Sequence, residues 1–281
     1  MYIDNLTQLR QQLRENGLET ERVDIVKNGV TCVGLRVITE GSISPIIYYS
    51  QQDSLEHFME RVRDAMDNLP KISIDVLRDR EYVKKHLYIS VQRKSNDDNI
   101  IKRDILNAEG YLRISLKTGS DNETGSVKVT RDILNEVVGG IDEETAWNYA
   151  ISNMRDSFYV RGLSETLGMF GFNQKDTSDL FYVCTRPNGM DGTAALFYPE
   201  VFREFCERHS QKSVIILPSS THELLLIPEE GALVSHNYKD FAAMVSEVNQ
   251  VEVEPSIRMD PVCYRFSMTK DTEAIEIVGE V

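Results

Sequence analysis

Ser219-Ser220-Thr221-His222-Glu223 puts hydroxyls, an imidazole and a carboxylate into one short run. Those are the residue types of a nucleophile, a base and an orienting acid. They also hydrogen-bond ligands, partner proteins and their own backbone. The serines lack the Gly-x-Ser-x-Gly elbow that exposes a nucleophile. Neighbouring residues of a strand point to opposite faces, so His222 and Glu223 are not expected to pair. The plainest reading is a turn whose side chains satisfy backbone groups. Contact with a small ligand or another protein comes next, with Ser219, Ser220, Thr221, His222 and Glu223 as binding candidates. Catalysis comes last, and no catalytic residue is assigned.

Other constellations carry less. Asp53, His57, Glu60 and Asp64 share one face of an expected helix, but a solvated face opposite an apolar stripe accounts for them. No HExxH or calcium-loop pattern is present, so no metal is expected. Glycines at 139–140, 168–171 and 189–192 match neither GxGxxG nor GxxxxGK[ST], so no nucleotide cofactor is expected. Met169, Phe170 and Phe172 lie among glycines and could form an apolar flap over a groove or a loop tucked into the core.

The elements that must position the His222 run read clearly. Ile215-Ile216-Leu217 and Leu224-Leu225-Leu226-Ile227 are apolar runs of strand length on either side of it. Upstream, Leu6, Leu9 and Leu13 mark a helix over 1–16. Asn28-Gly29 joins two β-rich runs as a hairpin. A strand at 43–49 and an amphipathic helix at 55–69 complete a first lobe, residues 1–72. A middle region, 73–160, contains strands at 87–91 and 111–116. In the second of these, Tyr111, Arg113 and Ser115 alternate with Leu112, Ile114 and Leu116. It continues with a short strand at 127–129 and helices at 131–138 and 142–158. A strand-rich region, 161–281, is expected to share its core with the middle. It has strands at 180–185, 214–217, 224–227 and 263–268, the last of them final, and helices at 199–209 and 238–249. Strands in hairpin pairs rather than strict βαβ alternation predict an α+β fold with mostly antiparallel sheet.

The chain has 281 residues, 41% of them hydrophobic, enough for a substantial core. Its net charge of −14 disfavours direct contact with a nucleic-acid backbone. No run approaches membrane-span length, so no membrane partner is expected. The N-terminus lacks the basic and apolar regions of a secretory signal, which predicts a cytoplasmic location. The four cysteines are far apart in sequence and read as buried thiols.

Six segments in order resemble a known pattern. They are Val26-Lys27-Asn28-Gly29-Val30, Ile43-Ser44-Pro45-Ile46-Ile47-Tyr48-Tyr49, Leu180-Phe181-Tyr182-Val183, Phe197-Tyr198-Pro199, the stretch from Leu217 to Glu223, and Met244-Val245-Ser246-Glu247-Val248-Asn249. Together they resemble a family of bacterial domains of unknown function common in gut-type Gram-positive genomes. The last 100 residues or so are also distantly similar to the YtpQ-like bacterial family. The resemblance implies an intracellular bacterial protein and assigns no catalytic residue.

The reading these features favour is a non-enzymatic binding or interaction protein acting through the third region. One alternative is a hydrolase-like enzyme centred on His222. Another is an acidic decoy that inhibits a nucleic-acid-binding protein.

Overall fold

The structure is a computed structural model describing residues 2–40, 44–49, 54–68, 74–117, 124–137, 140–169, 180–233, 236–269 and 272–281. It divides into two compact units, Met1–Val76 with Leu116–Gly125, and Leu77–Ser115 with Ser126–Val281. The fold is α+β, and every strand pairing with a described register is antiparallel.

In the first unit, helix α1 (Tyr2–Glu15) buries Leu6, Leu9 and Leu13. It stops at Gly17, where φ is +80° and the chain turns back. Strands β1 (Thr20–Lys27) and β2 (Val30–Val37) form the expected hairpin. Its two-residue turn needs positive φ at both positions, and Asn28 and Gly29 supply 50° and 75°. Strand β3 (Ile46–Tyr48) adds to β2, and helix α2 (Leu55–Asn68) packs Phe58 and Val62 into the same core. Within the described residues β3 is shorter than the 43–49 expected, and position 43 lies outside them.

The second unit begins with helix α3 (Arg80–His86), whose N-cap Asp79 accepts from the Glu81 and Tyr82 amides. Strands β4 (Leu87–Arg93), β5 (Lys102–Ile105), β6 (Ala108–Lys117) and β7 (Thr124–Lys128) form a sheet of order β4-β6-β5, with β7 also on β6. The sequence does not predict strand β5, because Lys102-Arg103-Asp104-Ile105 has almost no apolar content. The helix expected at 131–138 is largely a π turn over Ile133–Val137, and Thr130 Oγ1 accepts from the Ile133 amide as expected of a cap. Helix α4 (Glu143–Met154) lays Ala146, Ala150 and Met154 against the apolar face of β4.

A six-stranded sheet dominates the remainder. It contains β8 (Tyr159–Gly162), β9 (Tyr182–Thr185), β10 (Ser213–Pro218), β11 (Leu224–Pro228), β12 (Val262–Met268) and β13 (Glu273–Glu280), in the order β13-β12-β10-β11-β9-β8. Between them run α5 (Leu163–Met169), α6 (Pro199–Arg208), α7 (Glu229–Ala232) and α8 (Tyr238–Val251). Helix α5 occupies part of the glycine-spaced stretch read as a flap or loop; Phe170 and Phe172 lie outside the described residues. The sequence predicts β12 as the last strand, but β13 follows and pairs with it.

Strand β10 explains the burial of this sheet. Val214 and Ile216 face α6, joining Phe202, Phe205 and Cys206. Ile215 and Leu217 face α8, joining Phe241, Ala242 and Val245. A strand covered on both faces reads as a continuous apolar run, as this one does. Its turn into β11 is therefore carried by two strands with little freedom to move. A buried carboxylate braces the same sheet. Glu229 accepts from Arg265 Nε at 2.7 Å and Nη2 at 3.0 Å, and from the Ser213 and Tyr238 hydroxyls. Burial works to raise this carboxyl, but those hydrogen bonds prevail and hold it below the ordinary range.

Candidate functional site

The β10–β11 turn is built largely by its own side chains. The Ser220 hydroxyl accepts from the His222 amide at 3.1 Å, a local turn that Ser favours. Ser219 Oγ donates to Glu223 Oε1 at 3.1 Å. The Thr221 amide donates to the Ile257 carbonyl at 2.9 Å. Ser220 and Thr221 are buried, while Ser219, His222 and Glu223 are partly exposed. The five candidates thus lie together, but His222 and Glu223 share no hydrogen bond. They occupy a turn rather than a strand, so the reason differs from the one expected.

A second loop locks onto this turn. After β9, the chain passes through a bend at 186–189 to Asp191, a non-glycine residue in the left-handed region at φ 59°. A 3-10 segment, Gly192–Phe197, then leads to α6. The His222 carbonyl accepts from the Gly192 amide at 2.9 Å and from Thr185 Oγ1 at 2.8 Å. Thr193 Oγ1 donates to the Ser220 carbonyl at 2.6 Å. The approach is so close that a Cβ on Gly192 would collide with the His222 carbonyl oxygen and sit 2.7 Å from Thr185 Cα. Glycine is required here for lack of space.

The imidazole joins the same contact. The Asp191 amide donates to His222 Nδ1 at 3.3 Å. An amide N–H can only donate, so Nδ1 is an acceptor and the neutral ring carries its proton on Nε2. The Asp191 carboxylate accepts from Ser90 Oγ at 2.7 Å and lies 3.8 Å from Arg186 Nη1.

Ser90 belongs to a polar sheet face that sequence reasoning did not connect to His222. In the β4–β6 register Tyr88 opposes Arg113, Ser90 opposes Tyr111, and Gln92 opposes Glu109. Directly opposed residues share a face, so these six side chains form one polar strip. Arg113 donates to the Tyr111 hydroxyl at 3.4 Å and to Ser126. Gln92 Nε2 and Ser95 Oγ donate to Glu109 Oε1 at 2.7 and 2.6 Å, and Lys102 Nζ lies 3.5 Å from Glu109. Arg186 stacks over Tyr88 with its guanidinium carbon 5.4 Å from the ring centre. Burial raises the Tyr88 phenol above its ordinary range, opposed by the neighbouring Arg113 charge. The alternation of Tyr111, Arg113 and Ser115 was visible in the sequence. What it faced was not, because Asp191 and Arg186 come about 75 residues later.

An open groove of about 730 Å³ lies elsewhere, between the end of α4, β8 and α6. Two of its arginines already face carboxylates, Arg155 with Glu200 at 3.9 Å and Arg203 with Glu273 at 3.0 Å. Of the residues weighed for a metal, His57 and Glu60 form an exposed pair 3.8 Å apart, and Asp53 lies outside the described residues. Among the described residues no cluster of three metal-ligating side chains occurs, and no helix is long and apolar enough to cross a membrane.

Fold and site together define an antiparallel α+β protein with a half-buried polar cluster where two loops meet a polar sheet face. The chain belongs to a family of unknown function, DUF5688, whose pattern it matches over residues 2–268. That match covers nearly the whole chain and bears neither on a gut-type source nor on the YtpQ likeness. No curated protein and no solved structure matches it.

Proposed function

We propose that this is a non-enzymatic binding protein whose contact site is the cluster of His222, Asp191 and Arg186. The observation that carries this reading is the amide hydrogen bond into His222 Nδ1. In a Ser-His-acid arrangement the acid accepts from Nδ1–H, which leaves Nε2 free to take the nucleophile's proton. Here the ring is held the other way round and presents an N–H donor. No hydroxyl or carboxylate among the described residues hydrogen-bonds the ring, and the nearby Ser219 hydroxyl is committed to Glu223. A rigid donor suits recognition better than proton abstraction.

This tautomer weighs against the hydrolase alternative, because Nε2 then carries the proton instead of a free lone pair. The decoy alternative needs a face of one sign. Ion pairs such as Arg36–Glu21, Lys94–Asp104 and Arg131–Glu143 place cations among the surface acids instead.

The experiment is a melting-temperature screen of wild type and His222→Ala against charged and uncharged small molecules, alongside turnover assays on ester, amide and phosphate-ester substrates. The expected result is no turnover and at least one compound whose stabilisation is lost in His222→Ala. Hydrolysis abolished by that substitution would replace this reading with the enzymatic one.

A further inference from the structure

We infer that the cluster takes a compact oxyanion, a phosphate or carboxylate group, held by the guanidinium groups of Arg113 and Arg186. The inference rests on the binding reading above and names the ligand's chemistry. Both arginines approach the same ring: Arg113 is the cross-strand partner of Tyr88, and Arg186 lies over its face. Both outer nitrogens of Arg113 and one of Arg186 have partners. Arg113 Nη1 and Nη2 donate to Tyr111 and Ser126, and Arg186 Nη1 faces Asp191. In both, Nε is buried and meets no acceptor among the described residues.

A buried donor without a partner is rare in folded proteins, and here two charged ones flank one tyrosine. Local charge points the same way. Two guanidinium groups, Arg113 and Arg186, stand against the single carboxylate of Asp191, while Lys102 and Glu109 offset each other. This is a positive site in a chain of net charge −14. The guanidinium fork matches the oxygens of phosphate and carboxylate, and partial burial strengthens the attraction. His222 Nε2–H adds a neutral donor from the adjoining turn.

The test is calorimetric titration of the full chain with inorganic phosphate and, separately, succinate, at constant ionic strength set with sodium chloride. Saturable binding of at least one is expected, and the tighter of the two identifies the head group. Arg186→Lys and Arg113→Lys keep the charge but lose the Nε–H, so each should weaken binding about tenfold or more. Arg131→Gln, at an exposed ion pair with Glu143, should leave it unchanged. Melting curves of the variants report folding, and the wild-type titration stands without them. Failure of both anions to bind, or equal binding by folded lysine variants, overturns the inference. If both anions fail while an uncharged compound in the screen binds, the binding reading survives alone. If nothing binds, both fall.

Discussion

His222 holds Gly192 and Thr185 through its carbonyl and Asp191 through its ring. Substitutions at this junction should therefore separate structural from binding effects. Gly192→Ala must move backbone atoms of Thr185 or His222, and about 3 kcal/mol of stability should be lost, read by urea unfolding. His222→Ala keeps the carbonyl contacts, so its cost should stay near 1 kcal/mol while ligand stabilisation disappears. Glu229 carries a pH dependence. Its folded pKa lies below the ordinary 4.5, so its contribution is complete above about pH 4.5 and is lost as pH falls through the folded value. Glu229→Gln should flatten that acid limb of the stability curve. An unchanged limb would assign it to other carboxylates.

Among the elements, local chemistry was legible wherever it alone decided the structure. Asn28-Gly29 predicts its hairpin because few other residue pairs supply two positive φ values. Gly29→Val should cost about 1–2 kcal/mol by equilibrium unfolding. Asp142 caps α4 and Pro199 opens α6, both start signals that local chemistry supplies. Helix α8 has a full capping box from Asn237 and Asp240, and Asn237→Ala should lose about 1 kcal/mol. The strands β5 and β13 were not legible. Charged or alternating acidic residues make them strands only because β6 and β12 offer ladders to pair with. The candidate turn was legible for a similar reason, since the apolar runs around it declare buried strands. Its partners Asp191, Arg186 and Ser90 were not, because sheet pairing and a left-handed residue, rather than any motif, bring them to His222.

On the scale of the molecule, the thiols report how well the second unit is packed. Cys184, Cys206 and Cys263 are buried and their thiols are pushed up to about 12, whereas Cys32 in the first unit is partly exposed. A thiol reagent at neutral pH should label Cys32 first and the other three only on unfolding, as mass spectrometry of the labelled chain would show. Early labelling of Cys184 would mean that β9, and with it the loop to Asp191, opens readily. The binding account depends on that loop staying closed on His222 and fixing its tautomer. The most direct measurement is a long-range proton–nitrogen NMR correlation of the His222 ring at about pH 8, where an ordinary imidazole is neutral. The account predicts a proton on Nε2 and an acceptor shift for Nδ1. A proton on Nδ1 would contradict it, freeing Nε2 to act as a base and returning the site to the catalytic reading.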